Sequence, residues 1–280
     1  MTPTAGQEVL AWGMPRLRDL PWRHTRDPWA VLVSEVMLQQ TQVARVVPKW
    51  LAFLDAFPTT AECAGASLGD VLRLWQGLGY PRRARHLHEA AVAVEGLGSF
   101  PSTLVGLQAL PGVGAYTARA LLAFAFEADA AVVDTNIARV YARVSGTRLT
   151  ARQVQALADD ALPAGHAWEW NQCLMDLGAV LCRPERPGCH HCPLAHSCAW
   201  RGRGDDPSVG SAGVSRAQAR FEGSDRQARG RLMKALVTAP VAVDRVPDVM
   251  RRGPDDAARL LDDLLRERLC VRDATSVRLP

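Results

Sequence analysis

Four of the seven cysteines fall within seventeen residues, spaced Cys182-x6-Cys189-x2-Cys192-x5-Cys198. This spacing constrains the fold more than any other feature, because thiols so crowded need a common partner. The N-terminus carries Glu8 and breaks at Gly13-Met14-Pro15, so it shows no secretory signal and the chain reads as cytosolic. A cytosol keeps thiols reduced, which points to a metal site and away from disulfides. Structural zinc usually shows two close Cys/His pairs. Here a single Cys-x2-Cys has wide arms, which suits a cubane 4Fe–4S cluster held by Cys182, Cys189, Cys192 and Cys198. Zinc recruiting His190, His191 or His196 is the alternative. No glycine-rich dinucleotide fingerprint supplies a redox partner, so a structural or DNA-positioning role is expected. Cys63, Cys173 and Cys270 read as small core or surface residues.

At 48% hydrophobic and 22% charged, 280 residues make neither a disordered chain nor a short disulfide-stapled peptide. The longest apolar run, Ala120 to Phe126, stops at Glu127, far short of the ~20 residues a membrane span needs. The net charge of +4 permits a nucleic-acid partner without demanding one. Lys49 and Lys234 are the only lysines, so any mechanism needing an amine has two to choose from.

From Trp29 to about Trp200 apolar residues recur at helical steps, as in Leu32, Val36 and Val43, and the pattern predicts about ten short helices. Ser67 and Ser102 read as N-caps. Residues 201–213 have linker composition. Beyond them, helices over 225–237 and 254–268 and a short strand pair, 269–272 and 276–279, suggest a small winged-helix-like module; a helical tail is the other reading.

The stretch Leu110-Pro111-Gly112-Val113-Gly114-Ala115-Tyr116 places two glycines before a helix. Gly112 and Gly114 allow a tight turn with outward amide N–H groups, an anion site suited to a phosphodiester. Twenty residues on, Asp134 follows two valines and precedes Thr135 and Asn136. This predicts a helix N-terminus whose dipole and donors keep the carboxylate ionised. An ordinary Asp N-cap accounts for the residue taken alone.

Together, the hairpin, the downstream aspartate and the cysteine loop resemble the endonuclease III/MutY superfamily of DNA glycosylases. Four stretches resemble its adenine-specific branch: Leu20-Pro21-Trp22-Arg23, Ser34 to Gln42, Trp75 to Tyr80 and Trp170 to Gly178. The resemblance covers roughly residues 20–200. It implies an all-α, two-lobed helix-hairpin-helix glycosylase fold. A six-helix barrel lobe would span 22–130, an iron–sulfur lobe 1–21 with 131–205, and a linker with the small C-terminal module 206–280.

Breaking a purine N-glycosidic bond needs a proton on the base and an anion beside the oxocarbenium-like sugar. Glu35, a lone carboxylate flanked by Val31, Leu32, Val33, Val36, Met37 and Leu38, suits the acid, because burial raises a carboxyl pKa. Asp134 suits the anion. In the family these positions protonate adenine N7 and stabilise the sugar cation, with Asn136 and Tyr116 around the aspartate. The resemblance further implies that Gln40 and Tyr80 wedge into the duplex beside Gln39 and Leu78, and that Trp22, Arg23, Leu38 and Gln172 line the adenine pocket. Endonuclease III-like lyases carry a Schiff-base lysine where this chain has Tyr116, so a monofunctional enzyme without lyase activity is expected.

Three departures stand out. Gly79-Tyr80-Pro81 replaces the usual Gly-Tyr-Tyr, and Pro81 should stiffen the loop. Asp134-Thr135-Asn136 is closer to the endonuclease III spelling. The 75 residues after Asp205 are too few for the NUDIX-like domain that reads 8-oxoguanine. The expected activity is excision of adenine mispaired with 8-oxoguanine or guanine in duplex DNA by a cytoplasmic monomer. A thymine or uracil mismatch glycosylase of the same fold, and an idle iron–sulfur DNA-binding protein, are the competing readings.

Overall fold

The computed structural model describes residues 3–214 and 220–280. Eleven α-helices precede the cysteine loop among these residues: α1 (Pro3–Gly13), α2 (Pro28–Leu38), α3 (Val43–Ala56), α4 (Thr60–Gly65), α5 (Leu68–Trp75), α6 (Arg82–Leu97), α7 (Leu104–Gln108), α8 (Ala115–Phe124), α9 (Thr135–Ser145), α10 (Ala151–Ala161) and α11 (Ala167–Asp176). The molecule is all-α up to this point, as its helical periodicity dictates. Several starts follow local chemistry. Thr59 with Glu62 and Thr150 with Gln153 form capping boxes, and Ser67 accepts the Asp70 N–H. Ser102 is not a cap; Thr103, adjoining α7, takes that role by accepting the Gly106 N–H at 3.1 Å.

Contacts divide the chain into two compact units. The first comprises Met1–Val31, Ser102–Gln108 and Val113–Ala217. Its core joins α1, α9, α10 and α11 through Val9, Ile137, Val140, Tyr141, Val154, Ala158, Trp170 and Leu174. After α11 the helix widens into a π turn over Leu177–Leu181 and leads into the cysteine loop. The stretch composed like a linker is tied down in its second half. Arg143 pairs with Asp206 at 2.6 Å, and Ser211 Oγ accepts the Leu149 N–H at 3.0 Å. The partners of Asp206 and Ser211 sit about sixty residues upstream.

The second unit comprises Leu32–Pro101, Ala109–Gly112 and Gln218–Pro280. Phe53 meets Phe57 and Trp75 edge-on, and α6 lies against α4 and α5. Its C-terminal part carries α12 (Asp225–Thr238), β1 (Val241–Ala242), α13 (Val246–Met250), α14 (Pro254–Arg266), β2 (Val271–Arg272) and β3 (Ser276–Arg278). The strands form an antiparallel sheet in the order β1-β3-β2. A helix, strand, helix, helix and hairpin in this order make a winged-helix-like module. Its core is Leu232, Leu236, Met250, Leu261, Leu264 and Val277. β1 and α13 have two and five residues, too short for periodicity to reveal.

Candidate active site

In the first unit Asp134 caps α9. Its Oδ1 accepts the Ile137 N–H at 2.7 Å and its Oδ2 accepts from Asn136 Nδ2 at 2.9 Å. Asn136 Oδ1 in turn accepts from Arg139 Nη2 at 2.8 Å, and Arg139 also donates to the carbonyls of Cys182 and Gly178, each at 2.7 Å. Gly178 allows this approach, since a Cβ there would stand 2.6 Å from Asn136 Cβ. Asn171 fixes the chain leading into Asp134. Its side chain accepts from Val132 N and donates to the Ala130 carbonyl, both at 2.9 Å. Asp134 retains some exposed surface, yet it is so closely surrounded that burial pushes its carboxyl above the ordinary aspartate range. The donors from Ile137 and Asn136 and the nearby Arg139 charge oppose this without cancelling it. The expected cap is therefore present, but its donors do not outweigh the burial that raises the carboxyl.

Trp22 and Arg23 form a buried 3-10 turn over Pro21–Arg23. Arg23 grips Asp176 with both terminal nitrogens, at 2.9 and 2.8 Å, and Arg18 reaches the same carboxylate at 2.6 Å. Burial alone would raise the Asp176 carboxyl, but the two guanidiniums hold it below its usual range. Gln172 is buried on α11, and Tyr116 lies half-buried in the first turn of α8.

The four clustered cysteines all border one partly open pocket, with Val140, Leu177 and Leu194 among its apolar lining. Arg143 donates to Cys182 Sγ at 3.3 Å, and the Arg201 N–H to Cys198 Sγ at 3.5 Å. Burial raises the Cys182 thiol and lifts Cys192 to about 11, so these sulfurs become thiolates readily only against a cationic partner. His190, His191 and His196 are exposed and none borders the pocket. Among the described residues no three His, Cys, Asp or Glu side chains lie close enough to hold a single metal ion, but four cysteines lining one pocket, N–H donors to two of their sulfurs and an apolar wall suit the wider span of an iron–sulfur cluster. By contrast Cys63, Cys173 and Cys270 are buried, each pushed to about 12 by desolvation, and read as inert core thiols.

In the second unit Glu35 is buried on α2, at 6% exposure. Just past the helix end Gln40 takes a left-handed backbone, φ +55°, and Tyr80 does the same in its own loop, φ +49°. Non-glycine residues rarely adopt this region, and such strain is held only where neighbours enforce it. Arg83 is the enforcer. Its Nη1 donates to the carbonyls of Val36, Met37 and Gln39, and its Nη2 to those of Leu78 and Gly79 and to Thr41 Oγ1. One guanidinium thus ties the Leu38–Thr41 turn to the Leu78–Tyr80 loop. Leu78 is buried, and the Trp75 indole N–H holds the Gly79 carbonyl at 3.0 Å. A second, partly open pocket has Gln39, Arg83, His86 and Gly112 among its lining. Gly112 has φ +76°, and a Cβ there would stand 2.6 Å from His86 Cβ, so no other residue fits this turn. Nothing crowds Gly114, whose N–H side opens α8.

The expected site residues divide between the units: Trp22, Arg23, Gly114, Tyr116, Asp134, Asn136, Gln172 and the cysteines in the first, and Glu35, Leu38, Gln39, Gln40, Leu78, Tyr80 and Gly112 in the second. Arg83, Arg139, Asn171 and Asp176 were not singled out, although each lies inside or beside a motif that was. The signal for them was a charged or amide side chain among apolar helix neighbours.

Residues 33–164 match the family model described as the HhH-GPD superfamily base excision DNA repair protein. Among solved structures, a thermostable thymine-DNA glycosylase is 30% identical, with a TM-score of 0.67 over 70% of this chain and 94% of that one. An endonuclease III–DNA covalent intermediate, 23% identical, shares the fold with a TM-score of 0.63 over 71% of this chain and 94% of its own. The adenine DNA glycosylase of Mycolicibacterium smegmatis is 41% identical over 276 residues, 95% of this chain and 92% of the relative. An alignment of that reach runs through most of the C-terminal module as well as the glycosylase motifs. By that likeness, sustained along nearly its whole length, the chain belongs to the adenine DNA glycosylases of the HhH-GPD superfamily.

Proposed function

We propose that this protein is a monofunctional glycosylase that removes adenine mispaired with 8-oxoguanine or guanine from duplex DNA. The observation that carries the proposal is the chemistry of two side chains: Glu35 is a buried acid and Asp134 a capped, crowded carboxylate. Extruding the adenine costs a few kcal/mol, which Gln40 and Tyr80 offset by filling the vacated stack. Trp22, Arg23, Leu38 and Gln172 receive the base. Glu35 donates its proton to adenine N7, the C1′–N9 bond breaks, and the Asp134 carboxylate faces the positive sugar. Water then adds at C1′, its released proton restoring the Glu35 acid, and leaves free adenine and an abasic site. Tyr116 stands where a Schiff-base amine would be needed, and Lys49 is occupied with the Leu74 carbonyl at 3.1 Å, so the backbone is not cut.

Cys182, Cys189, Cys192 and Cys198 would hold a 4Fe–4S cluster, which when bound cross-links the loop and supplies no reacting atom. Gly112 and Gly114 present the hairpin amides to a phosphate. The lobes expected at 22–130 and at 1–21 with 131–205, followed by the module at 206–280, belong to this proposal, as do action as a monomer and location in the cytoplasm at the nucleoid. No helix among the described residues is long and apolar enough to cross a membrane.

A second reading, a thymine or uracil mismatch glycosylase, has the likeness to the thymine-DNA glycosylase structure behind it. Protonation at N7 has no pyrimidine counterpart, and Glu35 would then lack a task. The test is to incubate the protein with duplexes carrying A opposite 8-oxoguanine, A opposite G, and T or U opposite G, then treat with alkali. Cleavage of the adenine strand alone, and only after alkali, is expected. Cleavage at T or U in place of A decides for the second reading, and scission without alkali defeats the monofunctional assignment.

A further inference from the structure

The proposed reaction leaves the C-terminal module without a task, yet the module touches the wedge loop within the second unit. Arg226, in the first turn of α12, donates from Nη1 to the Tyr80 phenol oxygen at 2.7 Å. Its guanidinium lies 5.7 Å from the Tyr80 ring centroid and 5.1 Å from that of Phe221, which is 52% exposed. Two residues past Tyr80, Arg82 pairs with Glu267, and the same carboxylate takes Arg229 of α12 at its other oxygen. The end of the chain is docked too. A Cβ at Gly69 of α5 would stand 2.6 Å from the Pro280 carbonyl oxygen, so α5 and the last residues fit only because that position is bare. Arg83 fixes the loop backbone and lies 5.4 Å from the Tyr80 ring centroid, while Arg226 donates to the phenol end of the same side chain.

We propose that Arg226 is a positioning residue for base extrusion. Through it, the winged-helix-like module holds the Tyr80 ring in the attitude in which it enters the duplex. Arg226 and Phe221 extend that ring into a stacking surface for the strand opposite the extruded base. A guanidinium suits the task, since it donates to the phenol, lies against two aromatic rings and carries charge toward phosphates. The inference rests on the reading of Tyr80 as the wedge.

The experiment uses the full chain as wild type, Arg226→Ala, Arg226→Lys, Tyr80→Phe and the Arg226→Ala/Tyr80→Phe double variant. Two quantities are measured: the single-turnover rate of adenine excision, and the fluorescence of 2-aminopurine placed at the target adenine, which reports unstacking. Arg226→Ala and Tyr80→Phe should each lower rate and unstacking amplitude about tenfold, the loss of one charge-assisted hydrogen bond. The double variant should be no worse than the poorer single, because both remove the same bond. Arg226→Lys should recover part of the loss. Tyr80→Phe leaves the module intact, so its effect cannot come from misfolding there. Wild-type behaviour in Arg226→Ala, or losses that multiply in the double variant, overturns the inference. A wild-type chain that excises no adenine defeats the glycosylase reading instead, while the fluorescence still reports the Arg226–Tyr80 coupling.

Discussion

Asp134 combines two demands that conflict. In the proposed reaction the sugar cation calls for a charged carboxylate, whereas the crowding around the residue favours the neutral acid and raises its pKa. The sign of the linkage follows. A carboxyl whose pKa is higher in the folded protein binds its proton more tightly there, so its contribution to stability is present at low pH and is lost as pH climbs through the raised value. At neutral pH the ionised Asp134 therefore costs stability. We expect Asp134→Asn, which keeps an acceptor for the Ile137 N–H, to raise Tm by a few degrees while abolishing excision; calorimetry and the alkali assay check both halves. The acidic limb of kcat/KM should lie above the ordinary aspartate range, and a midpoint at or below that range would contradict the assignment. Glu35→Gln should abolish excision with DNA affinity retained, measured by fluorescence anisotropy.

At the scale of elements, the hairpin separates two glycines that look alike in sequence. Gly112 has a left-handed backbone pressed on His86, and Gly114 is extended and open. Gly112→Ala should cost about 1–3 kcal/mol of stability and weaken DNA binding, whereas Gly114→Ala should fold normally, as denaturant unfolding would show. This pair also marks how much was legible. The turn was evident from Pro111-Gly112-Val113-Gly114, and Asp134 as a helix cap from its place after two valines. The helices of the winged module were readable from their apolar spacing. Three things were not readable: that Thr103 and not Ser102 caps α7, that Gln40 and Tyr80 sit in left-handed backbone, and that Arg83 holds both their loops. A cap shifts by one residue at little energetic difference. A single arginine's hydrogen bonds to carbonyls over forty residues away leave no periodic trace.

For the whole molecule, the charge is only mildly positive, so affinity depends on where the arginines gather. Binding to duplex DNA should weaken steeply with salt as counterions cease to be released, and a flat response between 50 and 200 mM, the range over which phosphate-contacting proteins typically change, would contradict a phosphate-tracking surface. The purified protein should be brown and contain about four iron atoms per chain. Cys192→Ser should lose most of that iron, and tightly bound zinc in its place would overturn the cluster.

Arg143 has one more consequence. Fully buried, its single guanidinium serves the cysteine loop, through Cys182, Arg183 and Pro184, and the downstream tether, through Asp206. Whatever loosens one grip loosens the other. Stripping the metal should therefore expose residues 206–213 to a protease that ignores them in the loaded protein, and the appearance of a cut there becomes a gauge of cofactor content that needs no spectrometer.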